Sequence, residues 1–158
     1  MADLPDLPGD DWVVVKGAGS GFAQEVTVRT HRLLGDEPVA YGGTDSGPSP
    51  YDLLLAALGT CTSITLAMYA RRKNWPLECV TVRLRHGKVH ARDCEESENK
   101  PTGLDRIESE IDLGGALSEE QRHRLLEIAN HCPVHRTLGS EIMIETRLAE
   151  AEERGRHA

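Results

Sequence analysis

The sequence predicts a single α+β domain, on three observations. Period-two alternation recurs in both halves of the chain, one long apolar stretch with helical spacing lies between them, and a capping signature near residue 118 opens a second helix. At 158 residues and 39% hydrophobic content, the chain can bury one core without disulfide or metal support. Residues 1–10 carry three Pro or Gly and three Asp and are expected to form a flexible lead. Residues 11–148 form the domain, followed by a charged tail over 149–158.

The elements follow in order. Trp12 to Lys16 and residues 22–29, where Val26 and Val28 alternate with Thr27 and Arg29, predict a hairpin around the glycine-rich turn 17–21. Residues 31–41 predict a further extended stretch bent at Asp36-Glu37-Pro38, leading into the loop 42–48. Ser49-Pro50-Tyr51-Asp52 is a helix start: Ser caps, Pro takes the first helical position, and Asp follows where its carboxylate suits the dipole. The helix should run from Pro50 to about Lys73, stop before Pro76, and lie centrally, being apolar over most of its circumference. Val80, Val82 and Leu84 alternate with Thr81, Arg83 and Arg85, predicting a strand over 80–91, and Ile107, Ile111 and Leu113 predict another. Ser118 to Gln121 opens a second helix that ends near His131. Cys132-Pro133 opens a short helical turn closed by Gly139, and residues 142–148 read as the last strand.

A formal charge of -8 and a pI near 5.3 argue against a nucleic-acid footprint, which needs clustered Lys and Arg. The sequence shows no apolar run near the roughly 20 residues of a bilayer span, and its acidic opening is unlike a signal peptide. A soluble, cytoplasmic protein is expected. The four cysteines, Cys61, Cys79, Cys94 and Cys132, are widely spaced with no CxxC pair, which reads against a disulfide framework.

Among these thiols, Cys132 is the most suggestive on local grounds. Cys-Pro at a helical start directs backbone N–H groups at the sulfur and favours the thiolate, whereas the end of the preceding helix opposes it. His131, His135 and Arg136 flank it as donors to the sulfur or as ordinary surface residues. Cys61 lies roughly 16 Å into its helix, too far to gain from the terminal dipole, and locally reads as core. A metal reading joins His86, His90, Asp93 and Cys94 with His131, Cys132 and His135, but their spacing fits no compact zinc pattern, and no metal or cofactor is expected. Cys79 and Cys94 read as structural or incidental.

Gly42-Gly43, the segment 47–70 (GPSPYDLLLAALGTCTSITLAMYA) and the segment 128–138 (IANHCPVHRTL) resemble, in order, the two cysteine signatures of the OsmC/Ohr family. The similarity covers roughly residues 22–148 and looks closest to the OsmC-like branch with a GPSPY-type motif. The resemblance implies an intertwined homodimer with an antiparallel sheet around long central cysteine helices and with sites at the interface. It implies reduction of organic hydroperoxides, with Cys61 forming a sulfenic acid, Cys132 resolving it as a disulfide, and an external dithiol or lipoylated protein as reductant.

Two departures bear on that activity. The family's peroxide-reducing members carry Glu just after the proline that opens the long helix, where this chain has Tyr51, with the carboxylate moved to Asp52. The family arginine that pairs with the thiolate comes from the N-terminal hairpin, and the turn 17–21 here contains none. Lys16, Arg29 or Arg32 are the alternative cations. The competing expectation is a non-catalytic, redox-responsive protein that binds a small apolar ligand at the same interface.

Overall fold

A computed structural model describes residues 12–89 and 104–148. Three short strands open the domain: β1 (Val13–Gly17), β2 (Gln24–Val28) and β3 (His31–Gly35), antiparallel in the order β1-β2-β3. Val15 pairs with Val26, and Val26 in turn with Leu33, so apolar side chains share one face of this sheet. Arg29 takes a positive φ of 53° in the two-residue turn between β2 and β3.

Residues 36–41 do not continue as an extended stretch. After β3 the chain enters a compact loop with a single 3-10 turn, Val39–Tyr41. The reason is the Asp36 carboxylate, buried although charged, which accepts from Glu37 N–H, from the N–H and hydroxyl of Thr44, and from the N–H and hydroxyl of Ser46. The two glycines of the loop serve the same construction. Gly42 sits at φ 92°, and a side chain at Gly43 would overlap the Glu37 carbonyl.

Helix α1 (Pro50–Lys73) then starts and stops where the sequence predicts. The Ser49 hydroxyl accepts from Asp52 N–H while the Asp52 carboxylate accepts from Ser49 N–H, and Asn74 closes the helix in the left-handed region. The hairpin of β4 (Cys79–Val89) and β5 (Leu104–Gly114) packs against it, Val80 facing Leu113 and Val82 facing Ile111. Gly59 permits this close approach, because a Cβ there would lie 2.8 Å from Leu84 Cδ1.

Helix α2 (Glu119–Ala129), capped by Ser118 and Gln121, and helix α3 (Pro133–Leu138) close over the C-terminal half of α1. The core there is Leu66, Ala70, Leu117, Leu125 and Ala129, with Trp75 and Ile111 against it. Arg122 ties α2 to the end of β5, its guanidinium donating to the Leu113 and Gly115 carbonyls at 2.6 and 3.2 Å.

Two further expectations need correction. Residues 142–148 alternate like a strand but form none, without a ladder partner among the described residues and exposed throughout. A strand requires a neighbouring edge to take its backbone hydrogen bonds, and residues 142–148 pair with none of the described strands. The expectation that no apolar run nears bilayer length also fails: α1 spans 24 residues and contains a window of mean hydropathy 1.7, enough by length and composition. Leu58, Thr62, Leu66 and Ala70 nevertheless turn one face of it into the core.

Candidate thiol site

Cys61 lies in the middle of α1, half-buried, and its carbonyl accepts from the Thr65 hydroxyl at 2.7 Å. Cys132 reaches the same level of the helix from the other end of the chain. It is fully buried and caps α3, its sulfur accepting from His135 N–H at 3.3 Å and lying 3.5 Å from the Thr62 hydroxyl. The Cys132 sulfur therefore meets α1 at Thr62, the residue that follows Cys61 in sequence. Both thiols are free.

The cap is a consequence of local sequence. Pro133 takes the first position of α3, where its missing N–H costs nothing, and the chain before it is extended, with Cys132 at ψ 147°. That turns the side chain back over the first turn, where an N–H is free to donate. Thr62 is the residue that sequence reasoning missed. Its only signal was a polar side chain on an apolar helix face beside Cys61.

The accessory candidates are dispersed. Tyr51 stacks on His86, ring centres 4.3 Å apart, and His86 Nε2 lies 2.9 Å from the Asp105 carboxylate. Asp52 is committed to the α1 cap, where Ser49 through its hydroxyl and then its N–H holds the carboxyl below the usual range. His135 meets Cys132 through its backbone, its side chain being exposed. Arg32 pairs with Glu25 at 3.2 Å, and Arg29 is exposed at the hairpin turn. Among the described residues no cation forms a hydrogen bond with the Cys61 sulfur.

Among the described residues no three or more His, Cys, Asp or Glu side chains gather as a metal site. His86 has Asp105 and Tyr51 as partners, while His90, Asp93 and Cys94 lie outside the described residues. Cys79 is exposed at the start of β4. An open groove of about 680 Å3 runs between the N-terminal sheet and the start of α1, bordered by Val15, Phe22, Val26, Tyr41 and Leu53, with Asp36 and Glu37 among its polar lining.

This architecture recurs in solved structures. An OsmC-like protein from Mycoplasma pneumoniae superposes with a TM-score of 0.66 at 16% identity, over 84% of this chain and 89% of that one. A Legionella pneumophila protein described as an organic hydroperoxide resistance protein OsmC matches at 0.57 and 18%, over 80% and 88%. An organic hydroperoxide resistance protein from Elizabethkingia anophelis matches at 0.59 and 17%, over 79% and 84%. Such identities carry the fold rather than the activity. A search of curated protein sequences gave no match. The profile of the OsmC-like protein family matches residues 43–147, a span that holds the loop glycine Gly43, all of α1 with Cys61, and the Cys132 cap, and the chain belongs to the OsmC family.

Proposed function

We propose that the protein is a homodimeric, cytoplasmic, thiol-dependent reductase of organic hydroperoxides. The observation that carries this reading is the contact of the Cys132 sulfur with Thr62 on the helix that bears Cys61. In the proposed cycle the Cys61 thiolate attacks the terminal peroxide oxygen, the O–O bond breaks, and the alcohol leaves with a proton while Cys61 becomes a sulfenic acid. The Cys132 sulfur then attacks Cys61, the disulfide forms, and water departs. An external dithiol, free or carried on a lipoylated protein, reduces the disulfide and is itself oxidised.

Two features support a dimer as the working form. The N-terminal sheet leaves Trp12, Val13, Val15, Phe22, Leu33 and Leu34 exposed, and the apolar α1 leaves Ile64 and Met68 exposed, more than an isolated soluble domain needs to show. A second copy that covers these faces also gives Arg29 or Arg32 a route to Cys61, supplying the cation that favours the thiolate.

A second reading rests on the groove beside the N-terminal sheet, of a size for a small apolar molecule. In that reading the protein binds its ligand without turnover and its thiols oxidise only stoichiometrically.

The deciding experiment follows cumene hydroperoxide consumption by the reduced protein with excess dithiol. Catalytic turnover should vanish in Cys61→Ser. Cys132→Ser should accumulate a sulfenic acid, trapped by dimedone, without an intramolecular disulfide. Consumption of no more than one peroxide per thiol pair by folded wild type would sink the reductase and leave the binding reading.

A further inference from the structure

The C-terminal end of α1 and the middle of α2 gather cations around one aromatic ring. Arg72, Lys73 and Arg124 hold their charges 5.4, 6.0 and 5.9 Å from the centre of the Tyr69 ring, and Arg71 adjoins them on α1. Arg124 Nε donates to the Tyr69 hydroxyl at 3.2 Å, and Trp75 packs edge-on against the same ring at 5.6 Å. The Arg124 hydrogen bond, and then the charges of Arg124, Lys73 and Arg72, draw the phenol below its ordinary range.

All four cationic side chains are exposed, and Glu127, 2.6 Å from Arg124, pairs with that residue alone among them. Arg71, Arg72 and Lys73 make no ion pair among the described residues. Cations in the last turn of a helix offset its negative end, which accounts for their place on α1. It does not account for Arg124, which arrives from another helix and adds like charge at the same ring. This cluster stands out in a chain with 18 basic and 26 acidic residues.

We propose that the Tyr69-centred basic patch is a docking surface for an acidic patch on a partner protein. The acidic excess of the whole chain repels a long polyanion such as nucleic acid, whereas a short run or patch of carboxylates matches a compact patch of cations. Tyr69 lies eight residues beyond Cys61 on α1. That is about 12 Å along the axis, so a docked partner sits roughly two helical turns from Cys61. The inference stands whether or not Cys61 turns over peroxide.

Trp75 provides the readout. In full-length protein carrying Trp12→Phe, titration with an oligoglutamate peptide at low salt should change Trp75 emission saturably. Affinity should fall about ten-fold or more when salt is raised to about 0.5 M. Arg72→Glu with Lys73→Glu should abolish the response, the Arg72→Gln with Lys73→Gln pair should weaken it, and Arg83→Glu, on β4, should leave it intact. Absence of binding to wild type, equal loss in Arg83→Glu, or tighter binding of an oligothymidylate competitor would overturn the proposal. A change of oligomeric mass in the double variants would assign the patch to contact between copies and overturn it equally.

Discussion

At the scale of single residues, Asp36 does the most to shape the approach to the thiol helix. Its carboxylate is buried, yet five donors from Glu37, Thr44 and Ser46 satisfy it, so the charged form is the stable one. The Thr44 hydroxyl, followed by the Ser46 N–H, holds the carboxyl well below its ordinary value of 3.8. A depressed folded pKa means that this stabilisation is present above the unfolded value and is lost as pH falls through the folded one. Thermal midpoints of the wild type should therefore drop as pH falls below about 4, with Asp52 contributing in the same sense. Asp36→Asn should lower the midpoint at neutral pH and flatten that acid slope, because an amide NH2 would face the donors of Thr44 and Ser46. An unchanged slope in the variant would show that Asp36 is not what titrates. Gly42→Ala tests the same loop through its backbone, since φ 92° opposes a side chain, and should cost about 1–2 kcal/mol in chemical denaturation.

At the scale of elements, the helix starts are governed by local chemistry, which makes them both legible and testable. Ser49 and Ser118 each close a reciprocal capping box, with Asp52 and Gln121 as the returning side chains. Ser49→Ala and Ser118→Ala should each lose about 1 kcal/mol in urea unfolding. The two losses should add in the double variant, because the caps share no partner. Additivity failing by more than the single effects would mean that α1 and α2 do not start independently. The same locality makes both ends of α1, the start of α2 and the Cys132-Pro133 turn legible in the sequence. Residues 142–148 alternate without forming a strand, because alternation records which side chains share a face, not whether the segment pairs with a neighbour. Nor could spacing reveal that Thr62 meets Cys132 across 70 residues, or that His86 joins Asp105 across 19. The two cysteines were legible through their flanking motifs, whereas their surroundings depend on tertiary packing.

At the scale of the whole molecule, the distribution of apolar surface argues for a second copy. Only 28% of the apolar window of α1 is buried, and Met68 stands 68% exposed on it. Met143, Ile144 and Leu148, in the segment after α3, are 85%, 83% and 93% exposed. Among the described residues, the β1-β2-β3 sheet and the β4-β5 pair leave open edges, and residues 142–148 pair with neither, a combination that favours pairing with another chain. Sedimentation of the wild type should thus give a dimer at micromolar concentration. Ile64→Glu combined with Met68→Glu should shift it to monomer, because each carboxylate would have to be buried unpaired in the interface. If a cation reaching across that interface activates Cys61, the monomeric variant should lose peroxide turnover and should react more slowly with iodoacetamide near neutral pH. Its Cys61 should still alkylate fully at alkaline pH, where the thiolate forms without help. A monomeric wild type would remove the dimer from the proposed mechanism, and a monomeric variant with undiminished turnover would place the activating group within the single chain.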